Sequence, residues 1–206
     1  MQHKYTLPPN PIPQTKEYEF LSEVYSNSIK HPVVLLDGTV ESNYYLLVSV
    51  YMAGKENVTA VSMPMSAQET LENDSVSWAF AKELGVEPVS LPIANIVNAF
   101  NNTLLKFGEG RDKFSKEITN PTKQRQLKKL LLEAIDVQFN SDLYVDHGYN
   151  VVNNFFFLGE SFVLEYAKEF VDGKAAGFLT QEQYQKYFVD LFENQQTHSK
   201  YYYNVY

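Results

Sequence analysis

The residues whose types and spacing best suit chemistry form a short loop, DGTVES, which runs from Asp37 to Ser42. It follows the apolar stretch at residues 33–36, and a glycine-bearing turn between a buried strand and a helix is a common anion site. Backbone amides point at the anion in such sites, and Gly38 has the conformational freedom that a close approach requires. The loop nevertheless carries two carboxylates, on Asp37 and Glu41, and no basic residue. The pattern indicates either a phosphate site of unusual charge or a turn followed by an ordinary helix start.

The charge of the loop can be weighed against a bound phosphate. Two unit charges about 4 Å apart, at an effective dielectric constant near 20, repel by about 4 kcal/mol. That repulsion corresponds to roughly three decades of affinity unless a magnesium ion bridges the two groups. Thr39 adds a β-branched side chain where a glycine would let the backbone approach more closely. The simpler interpretation makes Asp37 and Gly38 a turn, and Glu41 and Ser42 the start of a helix.

The elements that must position this loop are predicted by the spacing of apolar residues. The predicted order is a helix at residues 16–30, a strand at 33–36, a helix at 42–53 ended by Gly54, a strand at 58–62, a helix from a capping box at Ser66 and Glu69 to residue 84, a strand at 86–91 and a helix at 93–106. Parallel strands need crossovers of this length, and such crossovers are right-handed. The sequence therefore predicts an α/β fold, a doubly wound parallel sheet of Rossmann-like type with helices on both faces.

The second half of the chain is less regular. Residues 107–121 are polar and glycine-rich and predict a connection without regular structure. The predicted elements that follow are a helix at residues 124–136, an irregular insertion at 137–150, a fourth parallel strand at 151–158 and helices at 161–171 and 181–192. Residues 200–206 (KYYYNVY) have a composition typical of strands. We therefore divide the chain into a proline-rich extended lead-in at residues 1–15, a single α/β domain at 16–192 and an aromatic tail at 193–206.

Composition and charge argue against several classes of protein. The 206 residues carry a formal charge of −8 with a pI near 5.0, whereas a general nucleic-acid binder needs a basic surface. There is no cysteine, so disulfides and thiolate chemistry are excluded, and the four histidines are too scattered to predict a zinc site. No apolar run is long enough to span a bilayer, and residues 1–20 lack the apolar core of a signal peptide. We therefore expect a cytoplasmic protein that binds no nucleic acid and does not insert into a membrane.

Residues 33–100 resemble the ammonia-dependent NAD synthetases, which belong to the PP-loop, adenine nucleotide α hydrolase-like superfamily. The likeness is most specific in GKENVTAVSMP at residues 54–64, and it continues through the KELGV turn at 82–86. It implies a Rossmann-like fold that is usually assembled as a homodimer. It also implies a two-step reaction assisted by magnesium. ATP adenylates the carboxylate of nicotinic acid adenine dinucleotide and releases pyrophosphate, and ammonia then displaces AMP.

The motifs of that family are altered in this chain. The family loop reads Ser-Gly-Gly-x-Asp-Ser; three positions fit it (Gly38, Val40 and Ser42) and three depart from it (Asp37, Thr39 and Glu41). A second family segment, Leu-Gly-Thr-Gly-Asn-Lys-Ser-Glu, is shortened to LGES at residues 158–161. A third, Asn-x-x-Ala-Arg-x-Arg, corresponds to NPTKQR at residues 120–125, where one arginine remains. Three altered motifs on an intact scaffold indicate a relative that has lost its catalytic residues.

Three functional hypotheses follow from this combination. The first is a non-catalytic relative of NAD synthetase that serves as a structural or interaction subunit, as a homodimer or with another protein, and needs no cofactor. The second is a divergent active NAD synthetase, or another adenylating amidotransferase, that uses ATP and magnesium. The third is a module that binds an adenine nucleotide without turnover. We assign no catalytic or metal-binding residue. The resemblance places the nucleotide contacts, if they are retained, at Gly38, Thr39, Val40, Glu41, Ser42 and Met63.

Overall fold

The computed structural model describes residues 16–27, 29–65, 74–105, 121–140, 149–152, 160–174 and 177–203. Four parallel strands form the sheet of this described part: β1 His31–Leu36, β2 Thr59–Ser62, β3 Val89–Ser90 and β4 Tyr149–Val151. Their spatial order is β3-β2-β1-β4, and every neighbouring pair is parallel. Helices pack against both faces of this sheet. The doubly wound α/β fold that the sequence predicts is therefore confirmed.

The described helices connect these strands and follow the last of them. They are α1 Lys16–Asn27, α2 Val40–Ala53, α3 Asp74–Glu83, α4 Ala94–Leu105, α5 Pro121–Asn140, α6 Glu160–Val171, α7 Gln181–Tyr184 and α8 Asp190–Tyr203. A 3-10 turn, Lys55–Asn57, follows α2, and a π-helical turn, Gln185–Val189, joins α7 to α8. Gly54 ends α2 with φ +82°, a conformation that favours glycine, as the sequence predicts.

Strand β1 separates the hydrophobic core into two layers. Val34 and Leu36 pack into the larger cluster, with side chains of α1, α2, α3, α6 and the segment from α7 to α8. Val33 and Leu35 point to the opposite face, because side chains alternate along a strand, and they pack with α4 and α5. Helix α2 is buried along most of its length, which explains why its sequence is apolar on all sides. None of the described helices is both long and apolar enough to cross a membrane.

Several predicted boundaries are wrong, and each error has a local cause. The stretch at 137–150, predicted to be irregular, is helical at 137–140 because nothing there interrupts α5, and it is strand at 149–150. The fourth strand therefore starts at Tyr149 and ends at Val151, and Val152 already lies in a helical turn. The strand predicted at 86–91 is reduced to Val89–Ser90, an exposed edge strand that pairs with β2 through two residues.

The C-terminal residues are helical as far as Tyr203. The composition of residues 200–206 is typical of strands, but residues 200–203 do not form a strand. These residues extend α8, because adding a residue to an existing helix is easier than starting a new element, and intrinsic propensities are weak. The predicted start of the tail, at residue 193, falls inside this helix. Predictions about several segments lie outside the described residues: 1–15, the capping box at Ser66 and Glu69, 107–120, 141–148 and 153–158.

Candidate functional site

The loop lies at the carboxyl edge of the sheet, where parallel α/β proteins usually bind their ligands. Its first three residues, 37–39, connect the end of β1 at Leu36 to α2, and its last three residues form the start of α2. The end of β2 lies beside it, since Leu36 pairs with Ser62 and Met63 follows. Gly38 takes φ +74°, so this turn uses a conformation that favours glycine. Met63 shares the edge, but its side chain is 1% exposed and lies in the smaller core cluster.

Side chains of the loop accept hydrogen bonds from two of its backbone amides, those of Thr39 and Ser42. The Asp37 carboxylate accepts a hydrogen bond from the Thr39 hydroxyl at 2.6 Å and another from the Thr39 amide at 3.2 Å. The Thr39 hydroxyl in turn accepts from the Ser42 amide at 3.1 Å, which makes Thr39 the N-cap of α2. Thr39 has extended backbone, with φ −99° and ψ 157°, so its β-branched side chain causes no strain. The Asp37 carboxylate therefore stands where a bound anion would accept from the Thr39 amide.

The remaining predicted contact residues of the loop are also engaged within the chain. Ser42 is 1% exposed, and its hydroxyl donates to the Thr39 carbonyl at 2.9 Å. Val40 is fully buried in the larger core cluster. Glu41 accepts a hydrogen bond from the Tyr45 hydroxyl, one helical turn along α2, at 2.8 Å. These side chains therefore hold the start of α2 in place, and that role does not require a ligand.

A buried polar network, made of Asn43, Ser77 and the Tyr187 carbonyl, links the start of α2 to the C-terminal helices. The sequence pattern does not predict it. Asn43 is fully buried; its side-chain oxygen accepts from the Ser77 hydroxyl at 2.6 Å, and its amide group donates to the Tyr187 carbonyl at 3.0 Å. Ser77 lies on α3, with its hydroxyl 3.5 Å from that of Ser42. Tyr187 belongs to the π-helical turn, a type of irregularity that is frequent at functional sites. The signal for this network in the sequence is an asparagine near the start of a largely apolar helix.

A second polar cluster holds the end of α3 against the same C-terminal segment. Tyr187 and Lys186 both donate to one oxygen of the Glu83 carboxylate, Lys186 at 3.2 Å, and Gln183 donates to the other oxygen at 3.4 Å. The bond from Tyr187 is the largest cause that lowers the pKa of Glu83 below its ordinary value of 4.5. Burial, followed by the bond to Glu83, raises the pKa of Tyr187. Tyr187 thus anchors α2 through its carbonyl and α3 through its hydroxyl.

The C-terminal helix reaches across the loop. The side-chain amide of Gln195, on α8, donates to the Gly38 carbonyl at 2.7 Å, and the two residues are 157 positions apart in the chain. Gly38 is buried in the folded protein. The loop therefore offers a carbonyl acceptor to α8, while the amides of Thr39 and Ser42 are bonded to side chains within the loop.

These contacts decide how well the loop suits the phosphates of ATP. A phosphate-binding loop supplies free amide donors and positive charge. Here the two amides at Thr39 and Ser42 already have acceptors, the loop sequence has no basic residue, and Asp37 places a carboxylate against the anion. The residues present do not fit a nucleotide phosphate in this conformation.

The sheet order and the position of the loop define the chain as a doubly wound α/β protein whose candidate site lies between the end of β1 and the start of α2. The sequence model of the NAD synthase family matches residues 15–132, which is more than half of the chain. The chain belongs to the NAD synthase family, and the resemblance seen in its sequence is confirmed.

Individual relatives carry the same description. Glutamine-dependent NAD+ synthetase of Thermotoga maritima is 27% identical over 139 residues, which cover 63% of this chain and 23% of that protein. The solved structure of glutamine-dependent NAD+ synthetase from Acinetobacter baumannii in complex with ADP aligns with a TM-score of 0.51 and 20% identity, over 86% of this chain and 37% of that chain. Ammonia-dependent NAD synthetase from Campylobacter jejuni gives a TM-score of 0.37 at 17% identity, over 86% and 91% of the two chains. This chain thus spans well under half the length of the two glutamine-dependent relatives.

Replacing Asn43 with aspartate should strongly destabilise the fold. The new carboxylate still accepts from Ser77, but it has no proton to donate to the Tyr187 carbonyl, and it brings a charge into a fully buried site. An acceptor left without its donor, together with a buried charge, should lower the free energy of unfolding by about 3 kcal/mol. Urea denaturation measures this change.

The matched control for that variant is Asn57→Asp. Asn57 is exposed, and its side-chain amide donates to the Ala53 carbonyl at 2.8 Å. This change should lower the free energy of unfolding by less than about 1 kcal/mol, because water replaces the lost bond. Equal losses at the two positions would contradict the structural role assigned to Asn43.

The Glu83 cluster should make stability fall in acid. Because the folded-state pKa of Glu83 is lowered, its contacts stabilise the protein above the unfolded-state pKa near 4.5 and are lost as the pH falls through the folded-state pKa. The free energy of unfolding should therefore be larger for the wild type than for Glu83→Gln at pH 7. Urea denaturation should show that this difference shrinks as the pH falls below about 4.5, the ordinary pKa of a glutamate. Tyr187→Phe should weaken the same pH dependence, and a difference that stays constant over this range would contradict the assignment.

Proposed function

We propose that this chain is a non-catalytic member of the NAD synthase family that has lost ATP-dependent amidation and serves as a structural or interaction subunit. The observation that carries the proposal is the hydrogen bonding of Asp37, whose carboxylate accepts from both the amide and the hydroxyl of Thr39. An acceptor on the same chain competes at a high effective concentration, so dissolved ATP has to displace it as well as overcome its charge. The family motif has an uncharged serine at the position of Asp37.

The two alternative functions meet the same obstacle. An active NAD synthetase, or another adenylating amidotransferase, needs the loop to hold pyrophosphate while the adenylate forms. Ser42 matches the last serine of the family motif, but its buried hydroxyl donates to the Thr39 carbonyl. A module that binds an adenine nucleotide without turnover also has to place phosphates beside Asp37. It would meet at Met63 a side chain that is already packed in the core.

Adenine nucleotides are the appropriate probe, since the Acinetobacter relative was solved with ADP. Isothermal titration of Mg–ATP into the wild-type chain should give no saturable binding at millimolar concentration. Replacing Asp37 with serine and Thr39 with glycine rebuilds the family motif at these positions, and it should lower the Kd by at least about 100-fold, part of the roughly three decades that the charge represents. Asp172→Ser is the matched control, because it makes the same change at an exposed aspartate and should leave the titration unchanged.

Two results would overturn the proposal. Micromolar binding of Mg–ATP by the wild-type chain, without turnover, would favour the nucleotide-binding module. Formation of the amide and release of pyrophosphate from ATP, ammonia and nicotinic acid adenine dinucleotide would favour the active synthetase. Failure of the Asp37→Ser, Thr39→Gly variant to bind would show that the loop is not what prevents binding.

The partner proposed for this subunit is a second copy of the chain, as the family resemblance implies. Helices α4 and α5 share the smaller core cluster and expose large apolar side chains on their outer surfaces, Ile96 at 47% and Leu130 at 62%. Because both helices pack on the same face of the sheet, we propose that these two side chains belong to one interaction site, which an interface between two copies would bury. This surface is therefore the proposed contact of the homodimer.

Introducing charge into that surface should separate the two copies. Sedimentation velocity should show a dimer for the wild-type chain and a monomer for the variant with Ile96→Glu and Leu130→Glu, because each dimer would bury four carboxylates. Phe178→Glu is the matched control, since Phe178 is equally exposed but packs against Tyr51 in the other layer. A wild-type chain that is monomeric at high concentration, or a dimer that survives both changes, would contradict this contact.

A further inference from the structure

The C-terminal helix is tightly packed where it begins and loosely packed beyond that point. Tyr187 and Phe188 in the π-helical turn are almost fully buried, and Leu191 at the start of α8 is buried as well. The next turn is different, because four of its side chains are exposed: Glu193, Asn194, Gln196 and Thr197. Among these residues, Gln195 is the one that is half-buried. Helix α8 therefore has an anchored base, followed at residues 193–197 by a stretch whose side chains are mostly exposed.

Gln195 joins this outer part to the loop through a side-chain amide in which one of the two polar groups has a hydrogen-bond partner. Its side-chain nitrogen donates to the Gly38 carbonyl at 2.7 Å. Its side-chain oxygen, Oε1, is buried and has no hydrogen-bond partner among the described residues. Burying an acceptor without a donor costs at least as much free energy as one made hydrogen bond contributes. The closed contact is therefore only weakly favoured, which is the condition for a contact that opens reversibly.

A gap in the packing lies where the outer part of α8 begins. A groove of about 370 Å³ separates α3 from the π-helical turn and the start of α8, and it extends as far as Asn194 on the outer part. The π-helical turn before α8 is fixed on two sides, by Asn43 at its Tyr187 carbonyl and by Glu83 at the Tyr187 hydroxyl. Because the turn is fixed and Phe192 still packs against the larger core cluster, movement would begin after Phe192.

We propose that the outer part of α8, from Glu193 onward, is a releasable strap, and that Gln195 is the residue that fastens it to the loop. In the closed state the strap keeps the loop buried at Gly38, and in the released state the Gly38 carbonyl and the turn at residues 37–39 become accessible. The inference rests on the proposed function, because it describes the regulation of the same loop. It adds that access to the loop is controlled by the C-terminal helix as well as by the Asp37 carboxylate.

Hydrogen–deuterium exchange of the full chain, followed by mass spectrometry, tests the strap directly. Gln195→Ala should raise the exchange rate of amides at residues 37–39 by about tenfold and leave β1 unchanged, since local opening need not involve the sheet. Gln195→Glu keeps the length of the side chain but turns a carboxylate toward the Gly38 carbonyl, so it should act in the same direction. Thr197→Ala is the control, because the Thr197 hydroxyl donates to the Glu193 carbonyl of its own helix.

Two exchange results would overturn the strap. Loop exchange that is the same in the Gln195 variants as in Thr197→Ala would mean that Gln195 does not close the loop. A uniform rise that includes β1 would mean that Gln195 supports the whole fold and does not fasten a local element.

A binding measurement separates the strap from the proposed function. In the background with Asp37→Ser and Thr39→Gly, Gln195→Ala should tighten the binding of Mg–ATP several-fold, because a partly populated open state weakens the apparent affinity by its fraction. If that background binds Mg–ATP and Gln195→Ala does not tighten the binding, the strap proposal is wrong. If the background does not bind Mg–ATP at all, the explanation of why the loop does not bind ATP is wrong, and the exchange measurement still tests the strap proposal.

Discussion

The backbone amides at the first turn of α2 have to be hydrogen-bonded, because α2 is buried along most of its length and an unbonded amide there is costly. In a phosphate loop the ligand can supply the acceptors. This chain supplies them itself, with the Thr39 hydroxyl for the Ser42 amide and the Asp37 carboxylate for the Thr39 amide. The same two bonds stabilise the loop without a ligand and occupy two of the amides that a phosphate could otherwise accept from. Under the proposed function, the stability of the loop and the loss of a phosphate site have the same physical cause.

The C-terminal third of the chain is attached to that first turn by directional contacts as well as by apolar packing. Asn43 follows Ser42 and fixes the Tyr187 carbonyl, and the Tyr187 hydroxyl reaches Glu83 at the end of α3. Apolar side chains pack in many arrangements of similar energy, whereas a fully satisfied buried polar network favours one arrangement. The π-helical turn allows a single residue to serve both contacts. A substitution at Asn43 therefore acts on α2 and on the C-terminal segment together.

The parts of the fold that follow from the sequence are those fixed by local patterns. The apolar run of β1 and the stop at Gly54 are strong local signals, so the ends of β1 and α2 are predicted to the residue, and each start is predicted two residues late. The buried polar network is not predictable in this way, because Asn43 and Tyr187 are 144 positions apart and only the fold brings them together. The strand-like interpretation of the end of the chain is wrong for a different reason. Residues 200–203 suit a strand by composition, but they continue an existing helix.

The loop shows the same division on a smaller scale. Its sequence predicts the conflict between the Asp37 carboxylate and a phosphate, because charge is a property of the residue. It does not predict where the carboxylate turns, because that depends on Gly38 at φ +74° and on the extended backbone of Thr39. In this geometry the carboxylate reaches the amide and the hydroxyl of the same residue, so a small shift does not free the amide for a ligand.

The contrast between fold and loop also shows why, under the proposed function, a family member can keep its fold while its phosphate loop changes. Packing in the core depends on volume and apolar character, and many combinations of residues supply these. A phosphate site depends on individual donors at fixed positions, and one internal acceptor is enough to occupy a donor. The segment at 54–64 resembles the family most closely, and it builds the turn after α2 and strand β2, which are parts of the packed scaffold. The loop at residues 37–42 is the part that departs, and it is the part on which the chemistry of the family would depend.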